Sequence, residues 1–159
     1  MIIVSNSGPI ISFARAGHLE LLKRLLQQIR IPEAVYDDIV VRGAGKPGAA
    51  EVKSAGWIKK EEVRNRTEVD QLPTGLGLGE REAIILAQEL KAALLIDDRQ
   101  ARKTAEERGV VCFGSLRVLK EAKERGLIEE IKPIGDRLRA TGLRIKDSLY
   151  QRFLQEAGE

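Results

Sequence analysis

Apolar positions along this chain follow two alternating rhythms. Short aliphatic runs, the pattern of a buried strand, alternate with longer stretches in which apolar residues return every three or four positions, the pattern of an amphipathic helix. Met1 to Ser5 reads as a strand, and Asn6-Ser7-Gly8-Pro9 as a turn into a helix that carries Ile10, Ile11, Phe13 and Ala14. Pro9 suits the first helical turn, and Asn6 or Ser7 suits its cap. After Gly17, Leu19, Leu21, Leu22, Leu25 and Leu26 outline a second helix over His18 to Gln28. Ile29 to Ile31 is a short strand, and Pro32 opens a helix containing Val35, Tyr36, Ile39 and Val40. Gly43 to Gly48 reads as loop, Ala49 to Ala55 as a short helix and Trp57-Ile58 as a small strand.

The stretch from Arg64 to Gly77 is polar, then glycine-rich, and has the least ordered pattern in the chain. The strongest helical pattern follows, from about Gly79 to Lys91, with Ala83, Ile84, Leu86, Ala87 and Leu90. Leu94 to Ile96 is then a strand, Arg99 to Arg108 a helix and Val110 to Phe113 a strand. Helices close the chain over about 116–125, 129–140 and 146–157. Strands alternating with helices predict an α/β fold, a parallel sheet flanked by helices. A length of 159 residues suits one domain over residues 1–159.

Composition narrows this picture without redirecting it. Apolar residues make up 43% of the chain and aromatics only 4%, so aliphatic packing must build the core. The net charge of +3, from 27 basic and 24 acidic residues, permits nucleic-acid binding without arguing for it. The single cysteine, Cys112, excludes an internal disulfide, reads as a small core residue and fits a reducing cytoplasm. No basic region precedes the N-terminal apolar stretch, and no apolar run approaches the ~20 residues that span a bilayer. His18 is the only histidine, which excludes a His-rich zinc site; it reads as the start of a helix, and no Ser-His-Asp arrangement is supported.

The chemistry lies in the acids. Asp97 and Asp98 follow a buried strand, where the carboxyl ends of parallel strands build sites. Two adjacent carboxylates repel unless a cation, a basic partner or a retained proton intervenes. Asn6 follows the first strand, Asp37 and Asp38 lie in the helix after Pro32, and Glu80 and Glu82 open the strongest helix. Such oxygen donors suit Mg²⁺ or Mn²⁺. Each also has a local explanation: Asn6 and Asp98 as helix caps, the others as charges favourable near helix N-termini. Arg99, Arg102 and Lys103, just beyond the acids, are candidates for phosphate contacts, or simply a solvated helix face. A phospho-receiver fits poorly, because its acid pair would have to follow the first strand, which ends in Asn6.

Four stretches in this order resemble the PIN domain family, and within it the prokaryotic subgroup related to VapC-type toxin ribonucleases. They are Val4 to Ile11, Ile31 to Asp38, Gly79 to Ile84 and Leu94 to Arg102, with similarity extending to Gly126-Leu127-Ile128 and Leu138 to Tyr150. The resemblance implies a three-layer α/β/α domain and a metal-dependent endoribonuclease, the toxin of a toxin–antitoxin pair. It implies Asp38, Glu80 and Asp98 as catalytic residues around Mg²⁺ or Mn²⁺, with Asn6, Glu82 and Asp97 as further metal contacts. The acid on the strongest helix falls on Glu80 or Glu82, and Glu80 is preferred. Asn6 stands where most of the family has Asp, and Ile96 where a hydroxyl is usual. The alternative is therefore a catalytically weakened module that binds RNA or protein. RNA, a small antitoxin and a second copy of the chain are the implied partners. Leu19, Leu22, Leu26, Ile39 and Val40, or the C-terminal helices over about 129–157 with Leu149, Phe153 and Leu154, are candidate association surfaces.

Overall fold

A computed structural model describes residues 1–159. Five short parallel strands form one sheet: β1 (Ile3–Ser5), β2 (Ile29–Ile31), β3 (Ile58–Lys60), β4 (Ala93–Leu95) and β5 (Cys112–Phe113). Their spatial order is β3-β2-β1-β4-β5, with Ser5 beside Leu95 and Leu95 beside Phe113. The chain thus winds outward from β1 in one direction through β2 and β3, then returns to β1's other side for β4 and β5. Ligands in open α/β sheets bind beyond the carboxyl ends of the strands at such a reversal. Here it lies between β1 and β4.

Ten helices cover the sheet: α1 (Ser7–Arg15), α2 (Leu19–Leu26), α3 (Glu33–Tyr36), α4 (Ala49–Ser54), α5 (Arg66–Gln71), α6 (Leu78–Leu90), α7 (Arg99–Glu107), α8 (Ser115–Glu124), α9 (Lys132–Ala140) and α10 (Asp147–Glu156). The period-two alternation of strand side chains divides the core between two faces. Leu94 and Ile96 join one cluster with Val35, Ile84 and Ala101, from α3, α6 and α7. Leu95 joins the other with Phe13, Leu22, Leu119, Leu138 and Leu154, from α1, α2, α8, α9 and α10. The expected helix–sheet–helix layering is the one present. No helix is long and apolar enough to cross a membrane.

The structure departs from the sequence reading in a few places. The polar stretch after Arg64 contains α5: Asn65 accepts the Glu68 N–H at 3.1 Å as its cap, and Val69 and Leu72 are buried against the core. One cap and two apolar residues are too little periodicity to stand out in sequence. The helix opened by Pro32 widens after Tyr36 into a π-helical turn over Asp37–Val41, closed by the Arg42 N–H bond to Asp37 O at 2.8 Å. The strand expected at Trp57-Ile58 lies over Ile58–Lys60. Cys112 is half-buried on the edge strand rather than a core residue. Leu22, Ile39 and Leu154 are buried within the chain's own core and offer no association surface, whereas Leu149 is 52% exposed.

Candidate active site at the carboxyl end of the sheet

Asn6 is the first residue beyond β1, and its N–H donates to Leu95 O at 3.0 Å, which fixes it beside the end of β4. It occupies the cap position of α1, yet its side chain makes no capping bond. Oδ1 is buried and accepts no hydrogen bond. A buried acceptor without a donor is costly and uncommon in native folds. The local explanation, a helix cap, therefore does not account for Asn6.

Asp38 arrives from the β2 side, on the π-helical turn. Arg42 Nη1 donates to its Oδ1 at 2.8 Å. Its Oδ2 lies against the start of α6, where Gly79 has no side chain: a Cβ there would stand 2.8 Å from that oxygen. The missing side chain lets α3 and α6 approach. Glu80, one residue on, accepts the Gly77 N–H at 3.0 Å through Oε1 and so caps its own helix. Asp98 caps α7, accepting the Ala101 N–H at 2.8 Å through Oδ1. Asp38, Glu80 and Asp98 thus each commit one oxygen to a protein donor and leave the other uncommitted.

The remaining two acids are spent. Glu82 is 4% exposed; its Oε1 accepts the Ala34 N–H at 2.9 Å and its Oε2 the Arg66 guanidinium at 2.5 Å. It ties the start of α3 to α6. Asp97 accepts the Ser115 N–H at 2.7 Å through Oδ1 and the Ser115 hydroxyl at 2.5 Å through Oδ2, holding α8 at the end of β4. Gly114 lets them meet, since a Cβ there would lie 2.8 Å from Asp97 Oδ1. Ile96 is fully buried and brings no hydroxyl to the site.

The electrostatics report the same grouping. Burial raises the Glu80 carboxyl above its ordinary value, and the neighbouring charges of Asp98 and Asp38 raise it further, against the Gly77 N–H. Burial also raises Asp38, with Asp37 and Glu82 adding to the shift and Arg42 opposing it. Asp97 is raised by burial, against its bonds from Ser115. Glu80 thus feels the charges of both Asp38 and Asp98, but as placed no three acidic, His or Cys side chains stand close enough to ligate one ion.

Of the cations beyond the acids, Arg99 is exposed at the start of α7, and Arg102 pairs with Glu106 at 3.2 Å and reaches Cys112 O at 3.4 Å. Both line a large groove beside Asp97; Lys103 does not. Sequence reasoning missed Arg66, Ser115, Gly79 and Gly114. Each acts on a residue more than ten positions away in sequence, or through an absent side chain, and neither leaves a local pattern.

A family model described as PIN domain matches residues 2–159. None of the curated proteins matches the chain. Among solved structures, a PilT N-terminus domain protein from the hyperthermophilic archaeon Sulfolobus solfataricus P2 is similar, with a TM-score of 0.54 and 16% identity over 92% of this chain and 98% of that one. At that identity the likeness is one of fold.

Proposed function

The chain belongs to the PIN domain family, whose members are generally nucleases, and from that premise we propose that it is a metal-dependent endoribonuclease. The observation that carries the reading is the uncommitted oxygen on each of Asp38, Glu80 and Asp98, together with the orphaned Asn6 Oδ1 at the carboxyl end of β1. An all-oxygen donor set fits Mg²⁺ or Mn²⁺, and the missing Cβ at Gly79 keeps room beside Asp38. Asp38, Glu80 and Asp98 would hold the ion partly through water, as Mg²⁺ sites commonly do, because as placed the three carboxylates do not close on one point; Asn6 would be a neutral fourth contact. When bound, it supplies water activation at neutral pH and neutralises charge on the phosphoryl oxygens. Glu82 and Asp97, although candidates for the same shell, act in this reading as positioning residues. Glu82 sets α3 against α6, and Asp97 sets α8 against the end of β4. The backbone bonds from Gly77 and Ala101 hold Glu80 and Asp98 in place.

The finer assignment, the toxin of a toxin–antitoxin pair restrained by a small antitoxin, belongs to the same proposal and rests on the resemblance of the four motifs. RNA cleavage with added Mn²⁺ or Mg²⁺ tests the chemistry. Asp98→Asn should remove cleavage while keeping the α7 cap, since Asn caps as well as Asp. Equal rates for the two proteins overturn the assigned residues. Asn6→Asp separates the weakened-module reading: cleavage that appears only in that variant makes the natural chain a binding protein.

A further inference from the structure

A groove of about 1230 Å³ opens beside Asp97, walled by the start of α7, the start of α8 and the α9–α10 corner. Seven of its fifteen lining residues are Arg or Lys, and Asp97 is its one acid. Asp97 is itself bound at both oxygens by Ser115. Three of the cations are held in place by neighbours. Arg102 pairs with Glu106, Arg117 with Glu121, and Arg139 with Asp147 at 3.4 Å while lying 4.5 Å over the Tyr150 ring. The other four, Arg99, Arg144, Lys146 and Arg152, are exposed and have no carboxylate within 4.0 Å. A chain of net charge +3 has therefore concentrated unpaired positive charge in one concavity that begins next to Asp98.

We propose that this groove is a track for the sugar–phosphate backbone of single-stranded nucleic acid, carrying the strand away from the acidic site on the β5 side without reading its bases. The location follows from contiguity, because Asp97 lines the groove and precedes Asp98. The class of ligand follows from charge spread across four elements over a wide opening, which suits a flexible polyanion. The lack of base reading follows from the walls, which contain no aromatic residue. Single-strand binders that grip bases stack them on aromatic side chains, whereas phosphate contacts alone are sequence-tolerant and strongly salt-dependent. The same charge opposes self-association of two copies through this face.

The idea rests on the ribonuclease reading only for what happens at the acidic end, so binding is measured apart from cleavage. Twenty-nucleotide oligo(U) and oligo(A) RNAs, labelled for fluorescence anisotropy, are titrated with the full chain in EDTA over a range of salt. The double variant Arg144→Gln/Arg152→Gln should weaken both RNAs at least fivefold at low salt. It should also flatten the slope of log affinity on log salt by about 1.4, at about 0.7 per phosphate contact on a single strand. Its thermal melting should match the wild type. Arg24→Gln/Lys53→Gln, exposed cations outside the groove, should leave affinity unchanged. Unchanged affinity in the groove variant, or equal loss in the control, overturns the track. A strong preference for one base overturns the backbone-only reading. A polyglutamate peptide binding as tightly as RNA at the same salt reassigns the groove to an acidic protein segment. Absence of cleavage by the wild type, with these binding results intact, would fault the ribonuclease reading and leave the track standing.

Discussion

Glu80 and Glu82 stand two residues apart on one helix and do different work. Glu80 caps the helix with one oxygen and keeps the other uncommitted, whereas Glu82 has both oxygens bound. Glu80→Gln should therefore lower Mn²⁺ affinity at least tenfold by titration calorimetry, and Glu82→Gln should lower it much less. Glu82→Ala should instead cost stability, about 1–3 kcal/mol in denaturant melts, because the buried Ala34 N–H loses its acceptor. A larger affinity loss in Glu82→Gln than in Glu80→Gln would exchange their roles. At Cys112, burial pushes the thiol up to about 11, with Glu106 adding to the shift and Arg102 opposing it. At pH 7.5 it is almost wholly protonated, which removes it from nucleophilic chemistry.

Between elements, the site depends on how closely α3 and α6 approach. The Gly79 position would bring a Cβ 2.8 Å from Asp38 Oδ2 and 3.4 Å from Val35 Cγ2. Gly79→Ala should push the two helices apart, destabilising the fold by about 1–3 kcal/mol, as overpacking does. Metal-dependent cleavage should fall at least tenfold, because Asp38 moves relative to Glu80. Full activity in Gly79→Ala would show that this approach does not set the site. The π-helical turn beneath Asp38 belongs to the same arrangement: such widened turns occur often at functional sites.

Over the whole molecule, a cluster of unneutralised carboxylates weakens the fold that holds it. A raised carboxyl favours the protonated folded state, so its contribution is fully present below the unfolded value of 3.8 for Asp38 and is lost as pH rises through the folded value. His18, lowered by burial and by Arg137, acts in the opposite sense as pH falls below 6.5. A comparison of variants isolates the site from it. Without metal, Asp38→Asn should melt higher than the wild type at pH 7.5, and the difference should shrink toward pH 4, where Asp38 takes up its proton. Thermal melts across that range check it, and a pH-independent difference would count against a charged, crowded Asp38. Saturating Mn²⁺ should reverse the order at pH 7.5, stabilising only the protein that binds it.

Local pattern determined the elements. The aliphatic runs at Ile29–Ile31 and Leu94–Ile96 and the spacing of Ala83, Ile84, Ala87 and Leu90 gave strands and helices almost where they lie, since burial imposes its period on a sequence. The same pattern placed Asn6, Asp38, Glu80 and Asp98 at strand ends or helix starts, and the fold gathers them at one end of the sheet. It left Glu80 and Glu82 unresolved, because both sit in the first turns of α6 and only partners distant in sequence, Ala34 and Arg66, separate them. The groove was half legible: from Arg139 to Arg152 the chain carries four cations and one acid. That those cations face Arg99 and Arg102 was decided by the packing of α9 and α10 against α8 and the sheet, where buried Leu138, Tyr150 and Leu154 fix the corner. A period of apolar residues is a property of neighbours along the chain, whereas a site is a property of neighbours in space, and only tertiary packing converts one into the other.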